Sequence, residues 1–238
     1  MLPECNICGS TDIRPGGARG LPVCHGCSAH PVTRVMWLTL IARNLLAPGK
    51  RVLHIAPERA LAPRLRAILG DNYEPVDIDP AAYAHVPGVR KMDLCADAPK
   101  LPSKAYDLIL HSHVMEHVQC NVTAVLAHLH RALREDGFQV CCIPFRREQH
   151  SAEDLGPLSA GEAERRFGQD DHVRTFGALD VPQTLGMIFA LPDRYDLADQ
   201  FGPDLLDRHA IPDIARTGWT AHSVLALGKS DLLLDSAR

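Results

Sequence analysis

The hydrophobic periodicity of the chain changes near residue 50. Over residues 31–46, apolar residues recur at three- and four-residue spacing, which predicts a helix that ends before Pro48 and Gly49. Beyond residue 50, short apolar runs alternate with further helical stretches over residues 60–69 and 122–133. The pattern therefore predicts one helix followed by a repeating strand–helix region.

The short apolar runs predict seven strands, at residues 52–56, 73–78, 89–94, 106–110, 138–143, 195–201 and 223–228. Strands that alternate with helices indicate a mostly parallel sheet with helices on both faces. Nearly continuous apolar runs such as Leu108-Ile109-Leu110 are typical of strands buried on both sides. We therefore expect an α/β fold with a doubly wound, seven-stranded sheet.

Two Cys-x-x-Cys pairs lie near the N-terminus, with fifteen residues between them: Cys5 and Cys8, then Cys24 and Cys27. Four thiolates at this spacing are typical of a tetrahedral, closed and structural Zn²⁺ site. Four unrelated thiols and a disulfide pair are the alternatives. We expect a zinc ribbon, and the change of pattern divides the chain into domains 1–30 and 31–238.

Composition limits the classes of partner. The chain carries a net charge of −4 with a pI near 6.3, although its first 50 residues hold five basic and only two acidic side chains. A strongly basic nucleic-acid-binding face is therefore absent from the sequence. No apolar run is long enough to span a bilayer and no signal peptide is recognisable, so we expect a cytoplasmic protein with no membrane partner.

The remaining four cysteines lack the spacing of metal ligands. In a reducing compartment we expect core or surface thiols at Cys95, Cys120, Cys141 and Cys142.

Acidic residues and histidines follow successive predicted strands. Ligands of open α/β sheets bind beyond the carboxyl ends of the strands, so these positions are the candidate site. Asp77 lies at the end of the second strand, where a carboxylate can accept hydrogen bonds from both hydroxyls of a ribose. Capping of a helix N-terminus is the alternative, and it is as good an interpretation for Asp79.

Several segments occur in an order that resembles class I S-adenosylmethionine-dependent methyltransferases, at residues 77–80, 93–94, 101–102, 106–109, 114–118 and 132–137. The resemblance covers about residues 48–145. It implies a Rossmann-like fold, S-adenosylmethionine as cofactor, and cofactor contacts from Ala56, Glu58, Asp77, Ile78, Asp93, Leu94, His111 and His113.

The resemblance also implies a role for each of these contacts. Asp77 would hold the ribose hydroxyls, while Asp93 would reach the adenine amino group and the Leu94 backbone would bind the ring edge. The segment from His111 to His113 would line the methionine and sulfonium side.

The first motif departs from the family pattern. It is normally rich in glycine, but residues 54–58 contain none. Ala56 can replace one glycine sterically, Pro57 removes an N–H donor, and Glu58 can face the cofactor's α-amino group. This segment resembles a subgroup that has an N-terminal zinc ribbon and a later Phe-Gly-Gln-x-Asp-His-Val-Arg stretch, matched here at residues 167–174.

The stretch at residues 167–174 belongs to an insertion, about residues 146–180, that we expect to cover the active site. His172 is a candidate general base, His150 is a second one, and Arg174 can bind an anionic substrate group. A structural salt-bridge network or a capped turn is the alternative for the same residues.

Together these features predict methyl transfer from S-adenosylmethionine to a small-molecule acceptor, with Zn²⁺ in a structural role. Two other functions remain open. One is an RNA methyltransferase whose zinc ribbon binds RNA, which the acidic body and an aromatic content of 5% disfavour. The other is a non-catalytic scaffold, which the glycine-free first motif favours.

Overall fold

In the computed structural model, which describes residues 2–16 and 20–234, a two-stranded hairpin precedes a six-stranded sheet. The domain ranges 1–30 and 31–238 include residues 1, 17–19 and 235–238, which lie outside the described residues. The helices are α1 (Pro31–Ala42), α2 (Ala62–Leu69), α3 (Leu94–Asp97), α4 (Val122–Ala132), α5 (Ala160–Phe167), α6 (Leu197–Phe201) and α7 (Pro203–Arg208).

The strands fall into three sheets. The N-terminal hairpin pairs β1 (Ile13–Gly16) with β2 (Leu21–Cys24). The main sheet contains β3 (Val52–Ile55), β4 (Tyr73–Asp77), β5 (Arg90–Lys91), β6 (Tyr106–Ser112), β7 (Leu133–Cys142) and β11 (Val224–Gly228). The third sheet contains β8 (Phe145–Arg146), β9 (Ala152–Glu153) and β10 (Arg174–Gly177).

The main sheet has the order β11-β7-β6-β3-β4-β5, and only β11 runs antiparallel to its neighbour. This confirms the doubly wound, mostly parallel sheet. The strand order reverses between β3 and β6, which places a ligand crevice at their carboxyl ends.

Among the described residues this sheet has six strands, so the prediction of a seventh is wrong. The predicted strand at 195–201 is instead largely helix α6. The Asp196 carboxylate accepts hydrogen bonds from the backbone N–H groups of Ala198 and Asp199, and this cap starts the helix within an apolar run.

The predicted strand at 89–94 is also corrected, because β5 contains only Arg90 and Lys91. The Asp93 carboxylate accepts a hydrogen bond from the backbone N–H of Cys95 and caps α3, which ends the extended segment.

Helices cover both faces of the main sheet. Leu108 and Leu110 of β6 pack in one apolar cluster with residues of α1 and α2, while Ile109 packs in a second cluster with residues of α4. All three side chains are completely buried, as their unbroken apolar run predicts. No helix in the described part of the chain has the length and apolarity needed to cross a membrane.

Arg34 of α1 joins the N-terminal hairpin to the C-terminal part of the chain. Its side chain is fully buried, and its guanidinium donates to the backbone carbonyls of Ala29, Pro22, His209 and Ala210 at 2.7–2.9 Å. Cys5 and Cys24 lie in the same apolar cluster as α1. The hairpin therefore packs against the body through shared core and hydrogen bonds.

Candidate active site

A cavity of about 480 Å³ lies at the carboxyl ends of β3, β4 and β6. Four of the residues predicted to bind cofactor line it: Asp77, Ile78, Asp93 and Leu94. The volume is in the range of small-molecule sites. Parallel strands bring these residues together although they are far apart along the chain.

Asp77 is one of three carboxylates that line this cavity, with Asp93 and Asp171. One carboxylate oxygen accepts a hydrogen bond of 2.8 Å from the backbone N–H of Asp79. Burial raises the pKa of Asp77, while the bonds from Asp79 and Tyr83 oppose that rise. The carboxylate is thus held at the end of β4 by its own loop.

Ala56 directly follows β3, in a conformation that glycine favours. Its φ is +52°, and its N–H donates to the Val76 carbonyl at 2.9 Å. The backbone therefore keeps the shape of a glycine-rich first motif although the glycine is missing.

Glu58 follows Ala56 and is held by a buried histidine. The Nε2 atom of His54 lies 2.5 Å from one Glu58 oxygen, and Nδ1 lies 2.8 Å from the Tyr73 hydroxyl. The other Glu58 oxygen is buried without a hydrogen-bond partner in the described structure. The sequence suggests no function for His54, which here orients a predicted cofactor ligand.

The two predicted histidines, His111 within β6 and His113 just after it, point in different directions. His111 is fully buried beside Gln139 of β7, with 2.9 Å between their side-chain nitrogens, and it does not line this cavity. Burial lowers the pKa of His111 to about 4. His113 lines a second cavity instead, and its φ of +54° marks a sharp turn after the strand.

The second cavity has a volume of about 680 Å³ and is mostly polar. The loop after β6 contributes Glu116, and the stretch predicted to cover the active site contributes Phe167, His172 and Arg174. In the described structure this stretch includes the end of α5, a helix that a capping box of Ser159 and Glu162 starts.

His172 is 8% exposed, and its Nδ1 atom lies 3.2 Å from the Phe167 carbonyl. This contact places the ring proton on Nδ1 and leaves the lone pair on Nε2, which has no hydrogen-bond partner. Burial, followed by the neighbouring ring of His117, lowers the pKa of His172. The imidazole is therefore neutral and can accept a proton.

Arg174 is 2% exposed, and protein groups already bind all three of its side-chain nitrogens. They donate to Glu153 at 2.7 Å and to the carbonyls of Met115 and Cys120 at 2.5 and 2.8 Å. These contacts connect β10 to the loop after β6, as the structural alternative expects. Two N–H bonds of the guanidinium remain for a ligand.

His150 lies apart from both cavities. Its side chain is 73% exposed and its Nδ1 atom is 3.6 Å from Asp180, while the neighbouring Gln149 lines the second cavity.

The four N-terminal cysteines converge. The Sγ atoms of Cys5 and Cys27 lie 3.7 Å apart, those of Cys8 and Cys24 lie 3.5 Å apart, and all four lie within 4.8 Å of one another. Four thiolates around one Zn²⁺ would have sulfur–sulfur distances of about 3.8 Å. The sulfur positions fit such an ion.

Cys95 and Cys120 form a disulfide, so the prediction that both are thiols is wrong. The start of α3 and the loop after β6 adjoin at the first cavity, although the two cysteines are 25 residues apart in sequence. Cys141 and Cys142 are buried thiols, as predicted.

The sequence gives no individual role to Glu116 and His117, which the structure places between the two cavities. Glu116 lines the second cavity and His117 lines the first. Their position directly after a buried strand is the signal that could have identified them.

Comparison with known proteins identifies a family for this chain. The profile of a family described as a methyltransferase domain matches residues 33–185, well over half of the chain. No curated protein matches the chain. A SAM dependent methyltransferase from Archaeoglobus fulgidus is 19% identical with a TM-score of 0.41, and 64% of each chain is covered.

The YcgJ protein from Bacillus subtilis is 19% identical with a TM-score of 0.40, over 72% of this chain and 79% of that one. The match to the Archaeoglobus protein, by contrast, spans less than two thirds of that protein's length.

Proposed function

Because this chain belongs to the methyltransferase domain family, we propose that it transfers a methyl group from S-adenosylmethionine to a small-molecule acceptor. Membership confirms the resemblance to class I methyltransferases and supports an enzymatic function. The observation that carries the proposal is a half-buried carboxylate, Asp77, in a cavity at the carboxyl ends of the central strands.

The residues of the first cavity fit the cofactor. Asp77 offers two oxygens at the end of β4, where ribose hydroxyls bind in this class of sheet. Ile78 and Leu94 supply apolar surface for a flat ring. Glu58 does not line this cavity, although its second oxygen has no hydrogen-bond partner in the described structure. Bound there, the cofactor supplies a methyl group on a positively charged sulfur.

The second cavity supports a polar acceptor of modest size. It borders the first cavity through the loop that carries Glu116 and His117, so an acceptor bound there would face the donor. Holding the two reactants together in the right orientation is itself a large part of catalysis.

His172 is the base that the geometry favours. Its free Nε2 atom lies on a neutral imidazole and can accept a proton from an acceptor that must lose one. His150 is exposed outside both cavities, so we assign it no part in this step. Arg174 orients the wall of the acceptor site, and its two remaining N–H bonds can contact an anionic group.

We also propose that one Zn²⁺ binds Cys5, Cys8, Cys24 and Cys27. The convergence of the four sulfur atoms supports this, and four thiolates leave no open position for catalysis.

Titration calorimetry of the purified protein with S-adenosylmethionine tests the cofactor site. Asp77→Ala should weaken binding at least tenfold, because it removes two charge-assisted hydrogen bonds worth roughly 1.5–3 kcal/mol each. Asp71→Ala is the matched control, since Asp71 is exposed in the turn before β4 and should leave affinity unchanged.

Unchanged affinity in a folded Asp77→Ala variant would show that the cofactor binds elsewhere. Absence of cofactor binding by the wild-type protein would favour the non-catalytic scaffold. Salt-dependent binding of RNA by the wild-type protein would favour the RNA methyltransferase.

A further inference from the structure

Glu116, His117 and His172 form a compact cluster at the boundary between the two cavities. One ligand atom from each residue lies within 4.8 Å of the other two. Glu116 and His172 line the second cavity, whereas His117 lines the first.

Two atoms of this cluster are buried without a partner in the described structure. They are the Oε2 atom of Glu116, whose side chain is 2% exposed, and the Nε2 atom of His172. A buried carboxylate oxygen and a buried ring nitrogen are costly to leave unpaired, so each favours a partner such as a bound cation.

Protein contacts also fix the other ring nitrogens. The Nδ1 atom of His172 pairs with the Phe167 carbonyl, and the Nδ1 atom of His117 lies 3.0 Å from an Asp171 oxygen. A histidine that binds a metal commonly donates its other ring N–H to a carbonyl or a carboxylate in this way. Each imidazole thereby has a lone pair on Nε2.

The backbone holds the two halves of the cluster together. The N–H of Val173 donates to the Glu116 carbonyl at 3.0 Å, next to the bond from Arg174 to the Met115 carbonyl. Residues 115–117 and 172–174 therefore keep a fixed spacing, as a preorganised metal site requires.

From this geometry we propose that Glu116, His117 and His172 bind one divalent transition-metal ion. Two imidazoles and one carboxylate are a donor set that suits Mn²⁺, Fe²⁺, Co²⁺ or Zn²⁺, with open coordination positions for other ligands. The ion lies where the donor and acceptor cavities meet.

The position suggests a function for the ion that rests on the proposed methyl transfer. An open coordination position facing the second cavity binds the acceptor through an oxygen atom and holds it towards the first cavity. With the ion bound, the Nε2 atom of His172 is a ligand and does not act as the base. The metal instead lowers the pKa of a bound hydroxyl, whose proton leaves to solvent before its oxygen takes the methyl group from the cofactor's sulfur. The acceptor class is therefore a molecule with a metal-binding hydroxyl or carboxylate oxygen.

Manganese binding tests the site without any acceptor. The protein is first loaded with zinc at the N-terminal cysteines. Mn²⁺ is then titrated in, and the concentration of free Mn²⁺ is measured by electron paramagnetic resonance. Wild type should bind one Mn²⁺ per chain. Glu116→Gln and His172→Ala should each weaken binding at least tenfold, and the control His128→Ala, on α4 outside the cluster, should change it less than twofold.

Co²⁺ is the second probe, and its visible absorption should show nitrogen and oxygen ligands rather than thiolates. The proposal is overturned if neither ion binds the wild type, or if folded Glu116→Gln and His172→Ala variants bind with unchanged affinity. Circular dichroism of both variants establishes that they are folded.

A second measurement separates this proposal from the proposed function. Mn²⁺ in the cluster should strongly broaden the methyl signal of bound S-adenosylmethionine labelled with ¹³C. Cofactor binding without any Mn²⁺ site would refute only the metal proposal, whereas a Mn²⁺ site without cofactor binding would refute only the methyltransferase proposal.

Discussion

At the scale of single residues, Ala56 has a left-handed backbone conformation that is unfavourable for any residue except glycine. Ala56 has a φ of +52°, a region that costs an L-residue about 1–2 kcal/mol. We expect Ala56→Gly to stabilise the protein by up to about 1 kcal/mol, because glycine relieves the strain but loses more backbone entropy on folding. Ala56→Val should destabilise it by more than about 1 kcal/mol.

Urea unfolding measures both changes. Ala163→Gly is the control, since Ala163 lies inside α5 and its replacement should destabilise the protein by about 1 kcal/mol. If Ala56→Gly destabilised the protein as much as Ala163→Gly, the left-handed conformation at Ala56 would be contradicted.

A second residue couples stability to pH. Burial lowers the pKa of His111 from its ordinary 6.5 to about 4, so folding keeps this ring neutral. The free energy of unfolding therefore has its full value above pH 6.5. It decreases as pH falls from 6.5 to 4, because the unfolded chain then binds a proton at this residue more readily than the folded protein does. The shift corresponds to about 3 kcal/mol.

His111→Gln removes this titration. The free energy of unfolding of the variant, measured in urea between pH 7 and pH 4.5, should therefore fall less steeply than that of wild type. His128→Gln should keep the wild-type slope, and an equal slope in His111→Gln would exclude His111 as the source.

At the scale of elements, Arg34 of α1 adds four hydrogen bonds to the apolar packing that holds this helix to the chain around it. Arg34→Met leaves four backbone carbonyls without their donor, so we expect a loss of at least about 3 kcal/mol in the free energy of unfolding. Arg34→Lys should be intermediate, since an ammonium lacks the planar fork. Arg64→Met, at an exposed position of α2, should change stability by less than about 0.5 kcal/mol.

A loss in Arg34→Met no larger than that in Arg64→Met would show that these hydrogen bonds contribute little to stability.

The elements that sequence predicts best are those with strong local patterns. The apolar run of β6 and the amphipathic stripe of α4 are found where expected, because burial on two faces or on one stripe leaves a direct trace in sequence. The 195–201 segment is predicted wrongly, since the cap at Asp196 outweighs its apolar pattern.

Contacts between distant segments leave no such local trace. The disulfide of Cys95 with Cys120 and the meeting of Glu116 with His172 depend on how strands order in the sheet. Asp77 and Asp93 could be predicted for the candidate site because each lies at or just beyond the carboxyl end of a strand. The direction in which the His111 side chain points could not be predicted. Successive side chains of a strand point to opposite faces, so a shift of one residue decides which face of β6 a side chain occupies.

At the scale of the whole molecule, we propose that the N-terminal hairpin and the body unfold as one unit. Cys5 and Cys24 are completely buried in the apolar cluster that also contains residues of α1, β3 and β6. Where a metal binds only the folded state, its binding free energy adds to the free energy of folding. Loss of Zn²⁺ should therefore destabilise the body as well as the hairpin.

Cys24→Ser with Cys27→Ser should abolish zinc, measured by elemental analysis, and lower the melting temperature of the whole chain. In wild type, heat should release zinc in the same transition that changes the fluorescence of Trp37 and Trp219, because Trp37 packs on the cluster shared with the cysteines. The control His25→Ala alters an exposed residue between two of the ligands and should keep one zinc and the wild-type transition. Zinc release well below the fluorescence transition would instead mean that the hairpin unfolds independently of the body.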